Sequence, residues 1–488
     1  MSIDKNIIED VVNKITSFQS SLGEGDYNIH PLDRDVLEQV TNIKNTLNGE
    51  DDFAIFKQCE VIKDLWGTLI EKSIICLRYY DGREPFTEQT NKKPRAYGVD
   101  QLRDYFDKYT DFESMLYGGA KYYRDHVIHV FRVWLLGIRI LLKDNLIDQI
   151  KIGGISLNQL EKISIWTIIA LTHDLGYPLE KALQIVDKTN NMMKSFVVNP
   201  TISMDLSFTG VQNSMNDFVL RLISSKMKKV DERADQPYVA RLQPKYYFKL
   251  QKSLEHNKHG VLSALIIYKI LLYFLESDYN INEDYRFSEE EARQFYIRRE
   301  ILRAISSHTC SDIYQLDALS FSFLLIITDD AQDWGRKSIS ELYTINSQNS
   351  YSFNKVEVKT IVDQPGKLNC WIDDSYVIND IDLVPNLLER FINQGKSYRD
   401  IFRDGQDTAN RNFNFKRTTS LEIAIEGDKE KFNYKLEVPC DRQATVTIEK
   451  PEGFIDQTKA FCTAINKNKR ISNMIGYKNG TIVFDLDK

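Results

Sequence analysis

The chain has 488 residues, with 63 Lys and Arg against 70 Asp and Glu, a net charge of −7. That length suits two or three domains, and 42% hydrophobic with 27% charged residues excludes a disordered chain. The mild acidity excludes nucleic-acid binding over the whole surface, though a local basic groove stays open.

The N-terminal stretch MSIDKNIIEDVVNKI is amphipathic and mixed in charge, unlike a signal peptide. Residues 1–115 form an N-terminal helical region, with apolar periodicity in IIEDVVNKI and in IFKQCEVIKDLWGTLIEKSIICLRYY. Loops are expected at Gly23–Pro31 and Asp81–Gly98.

Residues 116–345 carry five strong helical patterns: HVIHVFRVWLLGIRILLKDNLI, ISIWTIIALTHDLG, HGVLSALIIYKILLYFLE, EEEARQFYIRREILRAISSH and LSFSFLLIITDDAQDWG. Several are apolar nearly all round, as buried helices are. A polar insertion over 188–250 interrupts them, and its stretch from Lys226 to Lys252 is basic and aromatic. The longest apolar run, Ile163–Leu175, is broken by Thr167, Thr172, His173 and Asp174, so it is too short and polar to span a bilayer.

Residues 350–488 change character. VEVKTIVD, SLEIAIEG, NYKLEVP, ATVTIEK and TIVFDL read as strands, and LVPNLLERFINQG and QTKAFCTAINKNKR as helices. The predicted fold is mainly α: an all-helical bundle, a helical N-terminal extension and a smaller α+β C-terminal domain. The six cysteines include no CxxC pair, so a disulfide framework or zinc finger is not expected and a cytoplasmic location fits.

Of seven histidines, six lie between positions 126 and 308 and none follows. His126 and His129 share one helix face, and His256 and His259 repeat that spacing. His173-Asp174 ends the apolar run WTIIAL, His308 closes a helix, and Asp329-Asp330 follows FSFLLIIT. A lone histidine on an apolar helix is usually a core residue. Repeated imidazoles and carboxylates in apolar runs are different, because unpaired burial is costly. Metal binding removes that cost, and an Asp after a His can offer one oxygen to each of two ions.

The ordered set His129, His173-Asp174, His259, His308 and Asp329, with the phrases HDLGYPLEK, KHGVLSALI, LRAISSHT and LLIITDDAQDWGR, resembles the HD superfamily of metal-dependent phosphohydrolases over residues 116–345. The resemblance implies an HD-type bundle in which His129, His173, Asp174 and Asp329 hold one metal. Asp174 bridges to a second, held by His259 and His308. Asp330 competes with Asp329 for the last position, and Asp329 is preferred.

The resemblance further makes His126 a candidate general acid or phosphate contact, and Lys181 a catalytic or phosphate-binding lysine. His256 is a candidate for contacting substrate or supporting a ligand, and Arg298 and Arg299 for binding substrate beside the basic insertion. Histidine-rich ligation favours Mn, Fe, Co, Ni or Zn, with Mg recruited through substrate phosphates.

The function expected is hydrolysis of a phosphoester in a nucleotide-type substrate by a metal-activated water. The alternatives are a deoxynucleotide triphosphohydrolase and a regulatory protein binding a nucleotide signal, as in phage defence. No membrane partner is expected. Residues 350–488 are the expected contact for a protein partner or a second copy of the chain.

Overall fold

The computed structural model describes residues 2–20, 30–47, 54–82, 96–119, 125–195, 201–203, 211–230, 234–282, 284–336, 351–364, 366–378, 381–402, 413–424, 431–439, 443–448, 454–478 and 481–485. The expected loops Gly23–Pro31 and Asp81–Gly98 lie largely outside these residues.

The protein is mainly helical with a mixed sheet near its C-terminus. Helices α1 (Ile3–Gln19), α2 (Arg34–Thr46), α3 (Cys59–Tyr80) and α4 (Val99–Gly119) lead into α5 (Val127–Lys143) and a single turn, α6 (Leu146–Gln149). Then come α7 (Gln159–Thr172), α8 (Tyr177–Met193), α9 (Val211–Ser224), a hairpin of β1 (Ser225–Lys229) and β2 (Tyr238–Leu242), and α10 (Pro244–Glu255). Helices α11 (His259–Ile270), α12 (Leu272–Leu275), α13 (Glu289–Ser307) and α14 (Phe321–Ala331) complete this part.

Helix α7 lies at the centre. Asn158 caps it in a reciprocal capping box with Glu161, and every residue from Leu160 to Thr172 is buried. A helix apolar all round needs neighbours on every side, and α3, α5 and α13 supply them. Trp134 and Trp166 are fully buried where α5 meets α7, their indole N–H groups bonded to Thr167 and to the Trp134 carbonyl. Each buried aliphatic side chain here contributes about 1.5–3 kcal/mol.

The N-terminal helices share this core and form no separate layer of their own. Arg132 of α5 is fully buried and paired through two bonds with Asp4 of α1, at 2.8 and 2.6 Å. The 188–250 insertion also joins the core, through Val219, Leu222, Ile223 and Leu250. Its aromatic and basic groups are partly engaged there: the Tyr246 hydroxyl donates to the Tyr314 carbonyl at 2.6 Å, and Lys252 pairs with Asp312 at 2.9 Å.

The C-terminal sheet comprises β3 (Tyr351–Gln364), β4 (Lys367–Ile378), β5 (Phe413–Ala424), β6 (Lys431–Pro439), β7 (Gln443–Ile448), β8 (Ile475–Lys478) and β9 (Thr481–Asp485), in the order β3-β4-β5-β6-β7-β9-β8. All neighbours are antiparallel except β4 and β5. That parallel pair is joined by α15 (Val384–Ile401), the long crossover such a pair needs. Helix α16 (Phe454–Asn466) and the turn α17 (Lys469–Ser472) follow β7.

Two cores divide this sheet. Val356, Val358, Leu368, Cys370, Ile372, Phe413 and Phe415 belong to the helical core. Tyr376, Ile378, Leu421 and Ile423 build a second core with α15 and α16. Strand β3 is also tied to the end of α5, where Asp144 accepts the Thr360 N–H at 2.7 Å. Among the described residues no two cysteines form a disulfide, and no helix is long and apolar enough to cross a membrane.

Candidate metal centre

The ends of five helices meet at one point. His129 lies in the first turn of α5, His173 caps the C-terminus of α7 and is followed by Asp174, and His259 opens α11. His308 caps α13, and Asp329 lies in the last turn of α14.

Two glycines permit this convergence. A Cβ on Gly176 would sit 2.5 Å from the His259 carbonyl, so only glycine lets the turn after Asp174 rest on α11. A Cβ on Gly260 would lie 2.6 Å from the Ile305 carbonyl, so glycine also lets α11 approach the end of α13. These contacts bring His259 and His308 together, Nε2 to Nε2 at 3.2 Å.

Asp174 divides the cluster. Its Oδ2 lies 3.4 Å from His173 Nε2 and 3.6 Å from His129 Nε2. Its Oδ1 lies 3.3 Å from His259 Nε2 and 3.6 Å from His308 Nε2. Asp329 Oδ1 completes the first half, 2.9 Å from His129 Nε2 and 3.9 Å from His173 Nε2. A tetrahedral ion with bonds of about 2.1 Å sets its donors about 3.4 Å apart. The spacings here bracket that value, and two groups, His129 with His173 and Asp329, and His173 with Asp174 and His308, each bring their donors close enough to hold an ion.

The remaining ring nitrogens fix the tautomers. His173 Nδ1 meets the Ala170 carbonyl at 2.8 Å, and His308 Nδ1 meets the Ile305 carbonyl at 2.5 Å. Each uses a carbonyl left open at its own helix end. His129 Nδ1 meets Gln332 Oε1 at 2.5 Å, and His259 Nδ1 meets Glu180 Oε2 at 2.7 Å. With Nδ1 held outward, all four Nε2 atoms face inward, the arrangement metal-binding imidazoles require, and His259 would present its lone pair once an ion displaces its proton. His173 Nε2 is buried without any hydrogen-bond partner, an orphan that a metal ion would satisfy.

The electrostatics agree. Burial drives His173 down to about 4, so its imidazole is neutral at pH 7. Burial and the charge of Arg336 lower His129 as well. Burial opposes charge on His259 too, but its bonds to Asp174 and Glu180 outweigh that and lift it to about 9. Burial would raise Asp174, yet His173, His259 and His308 hold it well below the usual carboxylate range. A cation between Asp174 and His259 would replace the proton that now balances these carboxylates.

The other expected residues have diverse placements. Asp330 points away from the cluster and accepts a hydrogen bond from the Tyr398 hydroxyl of α15, so Asp329 alone of the pair joins the histidines. His126 is buried beside the cluster, its ring 3.9 Å from the Tyr177 ring. Glu113 of α4 accepts its backbone N–H at 2.8 Å and faces Nδ1 at 3.0 Å. Burial pushes His126 well below its ordinary value, so its neutral form predominates.

Lys181 is half-buried, its ammonium 4.8 Å from the centre of the Tyr177 ring and 3.0 Å from Gln184. His256 is exposed and turns back to the Lys252 carbonyl. Arg298 requires correction: it has no exposed surface and bonds to Asp81 and to the carbonyls of Tyr273 and Gln294, so it serves the core and offers substrate no surface. Arg299 is half-buried beside Tyr296, and burial lowers it to about 10.

Four residues at the site were given no role from the sequence, although Glu180, Gln332 and Arg336 lie within HDLGYPLEK and LLIITDDAQDWGR. Glu180 and Gln332 hold ligand histidines, Glu113 holds His126, and Arg336 spreads positive charge over His126, His129 and Tyr177. The signal for Glu180 was its place in HDLGYPLEK, two turns after Asp174.

No family model matches the chain, and neither does any curated protein or solved structure.

Proposed function

We propose that the protein is a metal-dependent phosphohydrolase of the HD type, acting on a phosphoester of a nucleotide-type substrate. One observation carries this reading: four imidazole Nε2 atoms converge on the two oxygens of Asp174 while their four Nδ1 atoms are held from behind. His129, His173, Asp174 and Asp329 hold one divalent ion, and Asp174, His259 and His308 a second. Such a pair supplies a water acidic enough to ionise near neutral pH and positive charge to match phosphoryl oxygens.

The protein's own groups do the rest. Asp174 fixes the separation of the two half-sites. Lys181, held over Tyr177, and Arg336 draw a phosphate dianion toward the cluster. His126, with Glu113 behind Nδ1, accepts the proton that the attacking water gives up and passes it to the leaving oxygen. The triphosphohydrolase alternative carries less weight, because Glu180, beyond the HD turn, is committed to His259.

The test is metal analysis of the purified protein, then Mn²⁺-supported hydrolysis of nucleoside mono- and triphosphates, cyclic mono- and dinucleotides and short single strands. Metal in the protein with release of phosphate or opening of a cyclic ester supports the proposal. Absence of both metal binding and hydrolysis sinks it. Double replacement of His173 and Asp174 by alanine separates enzyme from signal binder, since only the binder keeps its cellular effect without metal.

A further inference from the structure

Helix α15 of the C-terminal domain reaches the candidate metal centre through the segment Asp329–Trp334, which carries Asp329 and the His129 partner Gln332. The end of a helix is where its backbone frays, because its last carbonyls lack partners within the helix. A metal ligand in the last turn of α14 therefore needs support from outside.

That support comes from two sides. Trp334 donates its indole N–H to Asp4 at 2.8 Å, and the Trp334 carbonyl accepts from Arg132 at 3.1 Å and from Gln332 Nε2 at 2.8 Å. Because Nε2 is committed to that carbonyl, Gln332 must turn Oε1 toward His129. On the opposite side, Tyr398 of α15 donates to Asp330, and Arg390 of α15 pairs with Asp333 at 2.6 Å. Tyr398 is 1% exposed and Asp333 is 4% exposed, so each contact has a buried partner, while Arg390 itself is partly exposed.

Helix α15 is itself fixed to the sheet. Arg417 of β5 is buried, bonds to Asp374 of β4 and to Gln394 at 2.7 Å, and lies 3.7 Å from the centre of the Phe391 ring. Tyr398 packs edge-on against Phe415 of β5, with ring centres 4.7 Å apart. A shift of the sheet would thus be carried by α15 to the segment that holds Asp329.

We propose that Tyr398 and Arg390 are positioning residues for the metal centre. Through Asp330 and Asp333 they hold Asp329 and Gln332 in register with His129, so the C-terminal domain controls occupancy of the first half-site. This rests on the metal-centre reading above and gives that domain a role in it.

The test is Co²⁺ titration of the full-length protein, followed by absorption and by metal content, for wild type, Tyr398→Phe, Arg390→Ala, Arg390→Lys and the surface control Lys467→Ala. Tyr398→Phe keeps the buried ring and removes only the hydroxyl. The expected result is loss of affinity for one of the two ions by about tenfold or more in Tyr398→Phe and Arg390→Ala. The second ion should be unaffected, Arg390→Lys should recover part of the loss, and Lys467→Ala should match wild type. Equal weakening of both ions with a lowered melting temperature indicates general destabilisation and overturns the proposal. Unchanged Co²⁺ affinity in both variants overturns it while leaving the metal centre intact. A wild type that binds no Co²⁺ removes both.

Discussion

Asp174→Asn is the sharpest perturbation, because each carboxylate oxygen faces a different pair of histidines. Asparagine keeps one oxygen and turns an NH2 group toward the other pair, where donors cannot bind metal. One half-site therefore loses a donor altogether, and the other keeps a neutral oxygen in place of an anionic one. Binding to the folded state alone stabilises it by about 2.7 kcal/mol per site when free ion exceeds Kd a hundredfold. Two independent sites give roughly 5.4 kcal/mol in wild type, and the variant keeps about half of that at most. The metal-free variant also lacks the negative charge that faces His259 and His308, so its baseline falls as well. The comparison must therefore be made within each protein, as denaturant unfolding with and without Mn²⁺, alongside metal content after dialysis. If Asp174→Asn still retains two ions and gains the same stability from them, Asp174 does not bridge two half-sites.

Two predictions concern structure away from the centre. His30 is 2% exposed and its Nδ1 accepts the Leu32 N–H at 2.8 Å, while burial lowers its pKa to about 4. The folded state keeps this ring neutral and the unfolded state protonates near 6.5. Its contribution is therefore whole above pH 6.5 and is lost as pH falls toward 4, by roughly 3 kcal/mol at the limit. His30→Asn keeps an acceptor without titrating, so its denaturant midpoint should fall less than that of wild type between pH 7 and 5, and equal falls would refute the assignment. Arg298→Ala should destabilise the protein by about 3–5 kcal/mol, since it strands Asp81 in the interior. Unchanged unfolding midpoint with weakened substrate affinity would restore Arg298 to a binding role.

The helices were legible because the burial of one face, or of all faces, is written in apolar spacing. The cluster was legible for the opposite reason: His129, His173, Asp174, His259, His308 and Asp329 interrupt that spacing where nothing apolar explains them. Residues that support the ligands were not legible. Glu180 and Gln332 act across 79 and 203 positions and Glu113 across 13, and a Glu or Gln on a helix looks the same whether it meets water or an imidazole. Arg298 misled for a related reason: its partner Asp81 is 217 positions away, so a buried ion pair resembled a free cation. Strand β4 was missed because its inward residues, Leu368, Cys370, Ile372 and Tyr376, alternate with a polar face containing Asp373 and Ser375, and Asp374 also points inward to Arg417. Four-residue β8 is too short to show a period. The N-terminal region read as an extension, yet the Asp4–Arg132 pair and the shared core make it a wall of the bundle.

The two half-sites proposed above are chemically unequal, and that inequality predicts an order of loading. The first offers His129, His173, Asp174 and Asp329: four donors, two of them anionic. The second offers His259, His308 and the other Asp174 oxygen: three donors, one anionic. Behind the first stand a neutral amide, Gln332, and the Ala170 carbonyl. Behind the second stands a carboxylate, Glu180, held at about 2 despite burial by its bond to His259. More anionic donors bind a divalent ion more tightly, so the first half-site should fill first. The second depends more on Glu180 to make His259 a strong donor. Titration with Co²⁺ should show two phases. Asp329→Asn should weaken the tighter phase, and Glu180→Ala should weaken the looser one by about 10–100-fold while sparing the tighter. Loss of the tight phase in Glu180→Ala would mean that the carboxylate supports the centre as a whole, and the division at Asp174 would then not be functional.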